Sequence, residues 1–183
     1  APLFKEAIDA SIEHLRPWMP WALDEPTSLD DKVATLRAFR GKFDLGQDFI
    51  YGIFDRDETR VLGGTGLHTR IGPVAREIGY WMRADALRQG YVTESTAALV
   101  RVGFEIEKLR RIEIHCDSRN TRSAAIPAKL GFTLEATLRK RTFDSENVLR
   151  DSMIWSLLDE EYAASPSAQV PIEAYDAAGR LIL

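Results

Sequence analysis

The sequence predicts one α/β domain, in which helices are inserted between the strands of a sheet. The chain has 183 residues, a usual length for one domain and a short one for two. Hydrophobic residues make up 45% of it, which is enough to build a core. Strand patterns fill the middle of the chain, and no repeat or low-complexity tract divides it. One sheet with flanking helices is the simplest architecture for this order.

Two helices are predicted before the first strand. Residues 2–15 carry apolar side chains at helical spacing, and a proline after them stops the pattern. A second helix begins near Ser28, which can cap it together with Asp31 in a variant of the capping box. Gly41 can end this helix. A stiff aromatic segment, residues 18–21, separates the two helices.

Strands and helices alternate through the rest of the chain. Side chains alternate along a strand, so Glu77, Gly79 and Trp81 share one face of theirs. Residues 159–183 form a loosely patterned tail, in which 173–183 can make a small hairpin. The predicted elements are strands at 49–54, 60–68 and 74–82, a helix at 93–108, a strand at 111–117, a helix at 121–129 capped by Asn120, and an antiparallel pair at 132–140 and 148–156.

Charge and cysteine content narrow the class of protein. A net charge of −4 argues against nucleic acid as a partner, because proteins that bind it usually carry a basic surplus. The single cysteine, Cys116, cannot form a disulfide within the chain, which fits a reducing compartment. No apolar run reaches the roughly 20 residues that span a bilayer, and no secretory signal is evident. The expected location is therefore the cytoplasm, with no membrane partner.

The junction between the strand at 74–82 and the following helix carries the strongest chemical signal. A glycine there, Gly90, lets backbone N–H groups point at a ligand, and the helix N-terminus adds a partial positive charge. Together with Arg88 these groups suit a pyrophosphate. A plain structural turn is the alternative, since glycines are common at such junctions. Neither a P-loop nor a GxGxxG dinucleotide motif is present.

Three motifs, in order along the chain, strengthen this interpretation. They are Glu77-Ile78-Gly79-Tyr80-Trp81, Gly90-Tyr91-Val92-Thr93-Glu94-Ser95, and Asn120-x-x-Ser123 followed by Lys129-Leu130-Gly131-Phe132. In these motifs the chain resembles the GNAT acyltransferase superfamily, and most closely its RimJ/RimL-like branch. The resemblance spans residues 3–158. Leu87 and Val92 depart from the usual Gln/Arg-x-x-Gly-x-Gly/Ala loop, which leaves the backbone donors in place but can crowd the pyrophosphate.

The resemblance implies a fold with a mixed, mostly antiparallel central sheet, in which two parallel strands splay apart. Residues 1–158 would form this domain and 159–183 a C-terminal tail. Members of the family open with a β-strand before the first helix. This chain lacks that strand, so we expect its start to be incomplete.

The resemblance also implies acetyl-CoA as co-substrate and no metal. The strand at 77–82 would pair with the pantetheine arm, the loop would bind the pyrophosphate, and Asn120 and Ser123 would lie near the pantetheine and its sulfur. The residues implied for acetyl-CoA are Tyr80, Trp81, Met82, Arg88, Gln89, Gly90, Tyr91, Val92, Thr93, Asn120 and Ser123.

The chemistry implied is direct attack of a neutral amine on the thioester. A base helps because an α-amino group titrates near 8 and a lysine near 10.4. Glu77 is the first candidate base, acting through water, with His115 and His68 as alternatives. The other interpretation of Glu77 is a surface glutamate on a strand, with no catalytic role. Ser123 is the candidate proton donor to the thiolate, unless it is merely a first-turn helix serine.

The acceptor is left open by the sequence. Trp18 and Trp21 can wall its site, or they can pack between helices. A protein N-terminus or a small amine is the leading acceptor. Alternatives are a longer donor such as succinyl-CoA, an antibiotic or polyamine acceptor, or an acyl-CoA-binding module without turnover. Oligomeric state is open, although the family often forms homodimers.

Overall fold

The computed structural model describes residues 1–183 and contains one six-stranded sheet flanked by helices. None of these helices combines the length and the apolar character that crossing a bilayer requires. The strands are β1 (Phe49–Phe54), β2 (Val61–His68), β3 (Ala75–Met82), β4 (Arg111–Asp117), β5 (Thr133–Phe143) and β6 (Leu149–Leu158). The α-helices are α1 (Pro2–Asp9), α2 (Ile12–Leu15), α3 (Leu29–Asp44), α4 (Tyr91–Arg101), α5 (Thr121–Lys129) and α6 (Asp159–Tyr162).

The sheet opens in its middle. The strand order is β1-β2-β3-β4-β6-β5, and every neighbouring pair is antiparallel except β3 and β4. These two parallel strands pair only over Ala75–Glu77 and Arg111–Glu113. Beyond that point each remains paired with its outer neighbour but no longer with the other. The predicted mixed sheet with a splayed parallel pair is therefore confirmed.

One face of the sheet builds the main core. Apolar side chains of the central strands pack there against α4, with Leu67, Ile78 and Ile112 at 0–1% exposure. The opposite face packs against α1 and α3, which lie near β1 and β2. The cleft between β3 and β4 thus connects the two faces of the sheet.

The N-terminal helices differ in part from the prediction. The helix predicted over 2–15 is wrong as a single element, because the chain breaks between α1 and α2. Ser11 lies at this break, is 2% exposed, and its Oγ accepts a hydrogen bond from the N–H of Ala84. The capping box of α3 is confirmed, with the N–H of Asp31 donating to Ser28 Oγ at 3.1 Å. Gly41 does not end α3, which continues to Asp44.

Helix α4 begins two residues earlier than predicted. Gly90 is its N-cap and has φ of 92°, a left-handed conformation that lets the chain turn from the loop into the helix. The α-helix ends at Arg101 and is followed by a π-helical turn, Val102–Ile106. In the tail, an isolated bridge joins Tyr175 and Leu181.

Candidate active site

Two cavities flank the opening between β3 and β4. One has a volume of about 740 Å³ and lies beside the start of α4 and α5, and we call it the donor cavity. The other has a volume of about 750 Å³ and lies beside α1, α3 and the aromatic segment, and we call it the acceptor cavity. Both are lined by the same six residues at the opening: Trp18, Met19, Tyr80, Trp81, Asn120 and Ser123. The two cavities are therefore continuous through the sheet.

The donor cavity is cationic. Three arginines, Arg88, Arg119 and Arg122, line it together with His14, and no carboxylate does. Burial, followed by the charge of Arg122, lowers the pKa of His14. Such a surface favours a ligand with several negative charges. All the residues that the sequence assigns to acetyl-CoA line this cavity, although contact with the ligand stays a prediction.

The loop before α4 is shaped to present its backbone. Arg88 has a positive φ of 62° and Gly90 one of 92°, both in the left-handed region. No side chain caps α4, so the N–H groups of its first turn have no intrahelical partner and are free to bind an anion. Leu87 and Val92 pack with Tyr91 against the small cluster formed by Leu62, Met82 and Ala86.

Ser123 lies where the cavities meet. Its backbone N–H donates to Asn120 Oδ1 at 3.1 Å, so Asn120 caps α5 as predicted. The Tyr80 hydroxyl donates to the carbonyl oxygen of Ser123 and lies 3.1 Å from its Oγ. Burial raises the pKa of Tyr80, so this phenol stays protonated. Burial also raises the pKa of the nearby Cys116 thiol.

The acceptor cavity is acidic. Six carboxylates line it against three cations, and each cation is already paired with a carboxylate. Lys32 pairs with Glu25, Arg70 with Glu77, and Arg150 with Asp117. The cavity therefore carries a net negative charge and offers no unpaired cation.

Glu77 lies on the acceptor side, at the last paired position of β3. It is 7% exposed, and Arg70 holds both of its carboxylate oxygens, with Nε at 2.7 Å and an Nη at 2.5 Å. Hydrogen bonding to Glu77 raises the pKa of Arg70, which therefore stays a cation. The role of Glu77 as base stays a prediction, but this ion pair reduces the availability of its lone pairs.

The two alternative bases also lie in the acceptor cavity. Both ring nitrogens of His115 face carboxylates, Nε2 with Glu113 at 2.6 Å and Nδ1 with Glu77 at 3.4 Å. Although burial raises the pKa of Glu113, hydrogen bonds from His115 and Arg111 hold it below its ordinary value. His68 has one partner, because its Nδ1 lies 3.0 Å from Asp48 and no hydrogen bond involves Nε2.

Aromatic side chains wall the acceptor cavity. The rings of Phe4 and Trp21 each meet Trp81 edge-on at 5.9 Å between centroids. Trp18 lines both cavities and Trp21 the acceptor cavity, so both predicted residues lie beside the opening. Because Trp21 is 38% exposed, this wall is open to an incoming ligand.

Sequence reasoning missed Asp48 and Arg70. Both lie in short connections, Asp48 before β1 and Arg70 after β2, and neither belongs to a motif. The hairpin pairing of β1 with β2 brings Asp48 beside His68, a contact that the predicted hairpin register could have suggested. No group of three or more His, Cys, Asp or Glu side chains is arranged to hold a metal.

Comparison with known proteins places this geometry in context. The Acetyltransferase (GNAT) domain family matches residues 1–133. The ribosomal-protein-serine acetyltransferase of Escherichia coli (strain K12) is 29% identical over 131 residues, which cover 69% of this chain and 72% of that protein.

Solved structures show the same fold. The ribosomal-protein-S5-alanine acetyltransferase from Vibrio fischeri superposes with a TM-score of 0.76 at 20% identity, over 87% of this chain and 88% of that one. The microcin C7 self-immunity acetyltransferase MccE, in complex with acetyl-CoA and AMP, gives 0.78 at 22% identity, over 86% of each chain.

Proposed function

The chain belongs to the GNAT acetyltransferase family, and on that premise we propose that it transfers the acetyl group of acetyl-CoA to the α-amino group of a protein N-terminus. Family membership makes it an acetyltransferase and confirms the resemblance seen in the sequence. The Escherichia coli relative is named for acetylating a ribosomal protein, which supports a protein acceptor over a small amine. One observation carries the proposal: a cationic and an acidic cavity meet at a single opening through the sheet.

This division of charge suits the two substrates. The phosphates of CoA are anionic and match the donor cavity, whereas an ammonium group is cationic and matches the acceptor cavity. The loop at 88–93 and the first turn of α4 would bind the pyrophosphate. The edge of β3 that faces the gap would pair with the pantetheine arm, because it lacks a strand partner beyond Glu77.

Acetyl transfer then needs few groups. The neutral amine nitrogen attacks the thioester carbon, and a backbone N–H of β3 stabilises the oxyanion. When the carbon–sulfur bond breaks, the thiolate takes a proton from Ser123, whose Oγ lies at the opening beside Tyr80. Glu77 would keep the acceptor side anionic, and in the hypothesis drawn from the sequence it would accept the proton of the amine through water.

The acceptor cavity favours acetyl-CoA over a dicarboxylic donor. Succinyl-CoA would bring a second carboxylate to the acyl end, and a cation without a partner would be needed to neutralise it. Each of the three cations there is already paired with a carboxylate. The observed charges therefore support acetyl as the acyl group.

The proposal is tested by measuring thiol release from acetyl-CoA with N-terminal peptides, polyamines, aminoglycosides and free amino acids. We expect turnover with peptides, a lower rate in Glu77→Gln because the acceptor cavity loses a negative charge, and turnover with acetyl-CoA faster than with succinyl-CoA. Arg88→Ala should weaken acetyl-CoA binding about 10- to 100-fold, since a charged hydrogen bond contributes about 1.5–3 kcal/mol. Arg139→Ala, an exposed arginine of β5 that lines neither cavity, is the matched control.

Two results would contradict the proposal. Tight binding of acetyl-CoA without turnover on any acceptor would indicate a binding module. Failure to bind acetyl-CoA at all would remove the functional assignment. We further propose that the enzyme acts in the cytoplasm, which suits its one unpaired cysteine, Cys116; homodimer formation stays open.

A further inference from the structure

We propose that His68, oriented by Asp48, is the catalytic base that takes the proton from the acceptor amine. This inference rests on the proposed function and deepens it, because it assigns the proton transfer to a residue outside the sequence motifs. It replaces the route through water to Glu77 with the imidazole of a residue that lines the acceptor cavity.

Three titratable groups stand in one row across the sheet. His68 on β2 pairs in register with Glu77 on β3, which pairs with Glu113 on β4. The oxygens of Glu77 are held by Arg70, and both nitrogens of His115, next to this row, are held by carboxylates. His68 Nε2 is therefore the one histidine nitrogen in the acceptor cavity without a partner.

Asp48 sets the tautomer of His68. Its carboxylate lies 3.0 and 3.3 Å from Nδ1, and the two side chains are 19% and 21% exposed. At neutral pH a carboxylate accepts hydrogen bonds and cannot donate them. In the neutral ring Nδ1 therefore carries the hydrogen. The lone pair is then on Nε2, as a general base requires.

A floor of glycines makes room for the ring. The imidazole lies over the cross-strand pair Gly66 and Gly79, and a Cβ on either would come within 3.1–3.2 Å of its edge. The next pair along the same face is Gly64 with Trp81, whose indole lies over Gly64. His68 and Trp81 both line the acceptor cavity, whose volume of about 750 Å³ leaves space for a small amine-bearing group.

This position suits the reaction. Gly79 lies on the part of β3 that has lost its pairing with β4, beside the opening where the thioester would enter. The nitrogen–carbon bond forms as the amine proton moves to Nε2, and the carbon–sulfur bond breaks as Ser123 protonates the thiolate. Solvent then takes the proton from His68 and returns one to Ser123, so that no oxidant or further reactant is needed.

Charged groups from several elements lie around His68. Asp48 faces it from the segment before β1, Glu77 from β3 and Arg70 from the turn after β2. Across the cavity, Lys32 of α3 and Glu25 of the preceding loop form an ion pair, in which the two charges cancel. The other charged residues that line the cavity are Asp24, Asp31 and the Asp117–Arg150 pair.

The test compares His68→Gln with His115→Gln, using peptide acetylation followed from pH 6 to 9. We expect His68→Gln to lower kcat/KM by about 10²-fold at pH 7, the usual lower range for loss of a general base. Its rate should keep rising with pH, because the amine must then lose its proton unaided. His115→Gln should keep the wild-type shape of the pH profile. Asp48→Asn should lower kcat/KM in the same way as His68→Gln, but by a smaller factor. Acetyl-CoA affinity should not change in His68→Gln.

A second measurement does not depend on turnover. Long-range proton–nitrogen spectra of the histidine side chains, assigned with His68→Gln, should show the neutral ring of His68 protonated on Nδ1. A proton on Nε2, or a His68→Gln enzyme with wild-type rate and pH profile, would overturn the inference. Absence of turnover in the unmodified enzyme would instead count against the proposed function, while the spectra still report the tautomer.

Discussion

At the scale of single residues, Ser123 joins two tasks. Its backbone N–H completes the cap of α5, and its hydroxyl faces the opening between the cavities. Alanine keeps the first function and removes the second, because the capping bond uses the main chain. The side chain can therefore be tested without disturbing the helix.

Ser123→Ala should lower the rate of thiol release by about 10²-fold, since it removes the proposed general acid. Acetyl-CoA affinity, measured in a binding titration, should fall by much less than the rate. Ser95→Ala is the matched control, because the Ser95 hydroxyl bonds to the carbonyl of Val92 within α4 and lines neither cavity. A wild-type rate in Ser123→Ala would show that the Ser123 side chain has no catalytic role and that the residue serves only in the first turn of α5.

Residue roles were only partly predictable from the sequence. The motifs placed Glu77, Asn120 and Ser123 near the opening, because each stands at a fixed offset from a strand or helix end. The partners of Glu77 and His68 depend instead on which turn residues fold back onto the sheet. A sequence pattern of period two gives the face of a side chain but not its ion-pair partner.

At the scale of elements, the sequence predicted the strands more accurately than the ends of the helices. All six strands were anticipated, since β-branched and aromatic runs between turn residues are a distinctive pattern. Two of the predicted helix boundaries were wrong. Ser11 interrupts the first helix because its hydroxyl bonds to Ala84, and Gly41 stays helical because nothing there requires a positive φ.

Two glycines of the α3 region provide a matched test of this explanation. Gly41 is exposed within α3 and an added Cβ would meet nothing within 4 Å, so Gly41→Ala should stabilise the fold by about 0.5–1 kcal/mol. That corresponds to a rise in Tm of about 1–4 °C for a chain of this size. Gly46 has equal space but φ of +67°, so Gly46→Ala should lower Tm. Calorimetry of both variants checks the signs; a lower Tm for Gly41→Ala would contradict the helix assignment.

At the scale of the whole molecule, buried ion pairs should make stability depend on pH. The Asp117 side chain is 1% exposed at the end of β4. Burial raises its pKa, but hydrogen bonds from Arg119 and the charge of Arg150 outweigh this and hold the pKa below its usual value of 3.8. A carboxyl whose pKa is lower in the folded state stabilises the protein above its unfolded pKa. This contribution is lost as pH falls through the folded pKa.

The midpoint of urea unfolding should therefore stay level down to about pH 4 and decline below it. Asp117→Asn should be less stable at pH 7 and should lose part of the decline. Asp57→Asn, which changes an exposed carboxylate in the β1–β2 turn, should keep the wild-type curve. An Asp117→Asn curve parallel to wild type at all pH values would show that this ion pair contributes no acid sensitivity.

The three-residue pairing of β3 with β4 has a consequence for how this chain can vary. Beyond Glu77 the peptide groups of β3 have no partner on β4 and, in the proposed function, would recognise the donor; peptide groups are the same whatever side chain they carry. A substitution at Gly79, which lines only the acceptor cavity, is therefore expected to alter acceptor choice and to leave donor choice intact. In the proposed function, β3 would thus select the donor through its main chain and the acceptor through its side chains.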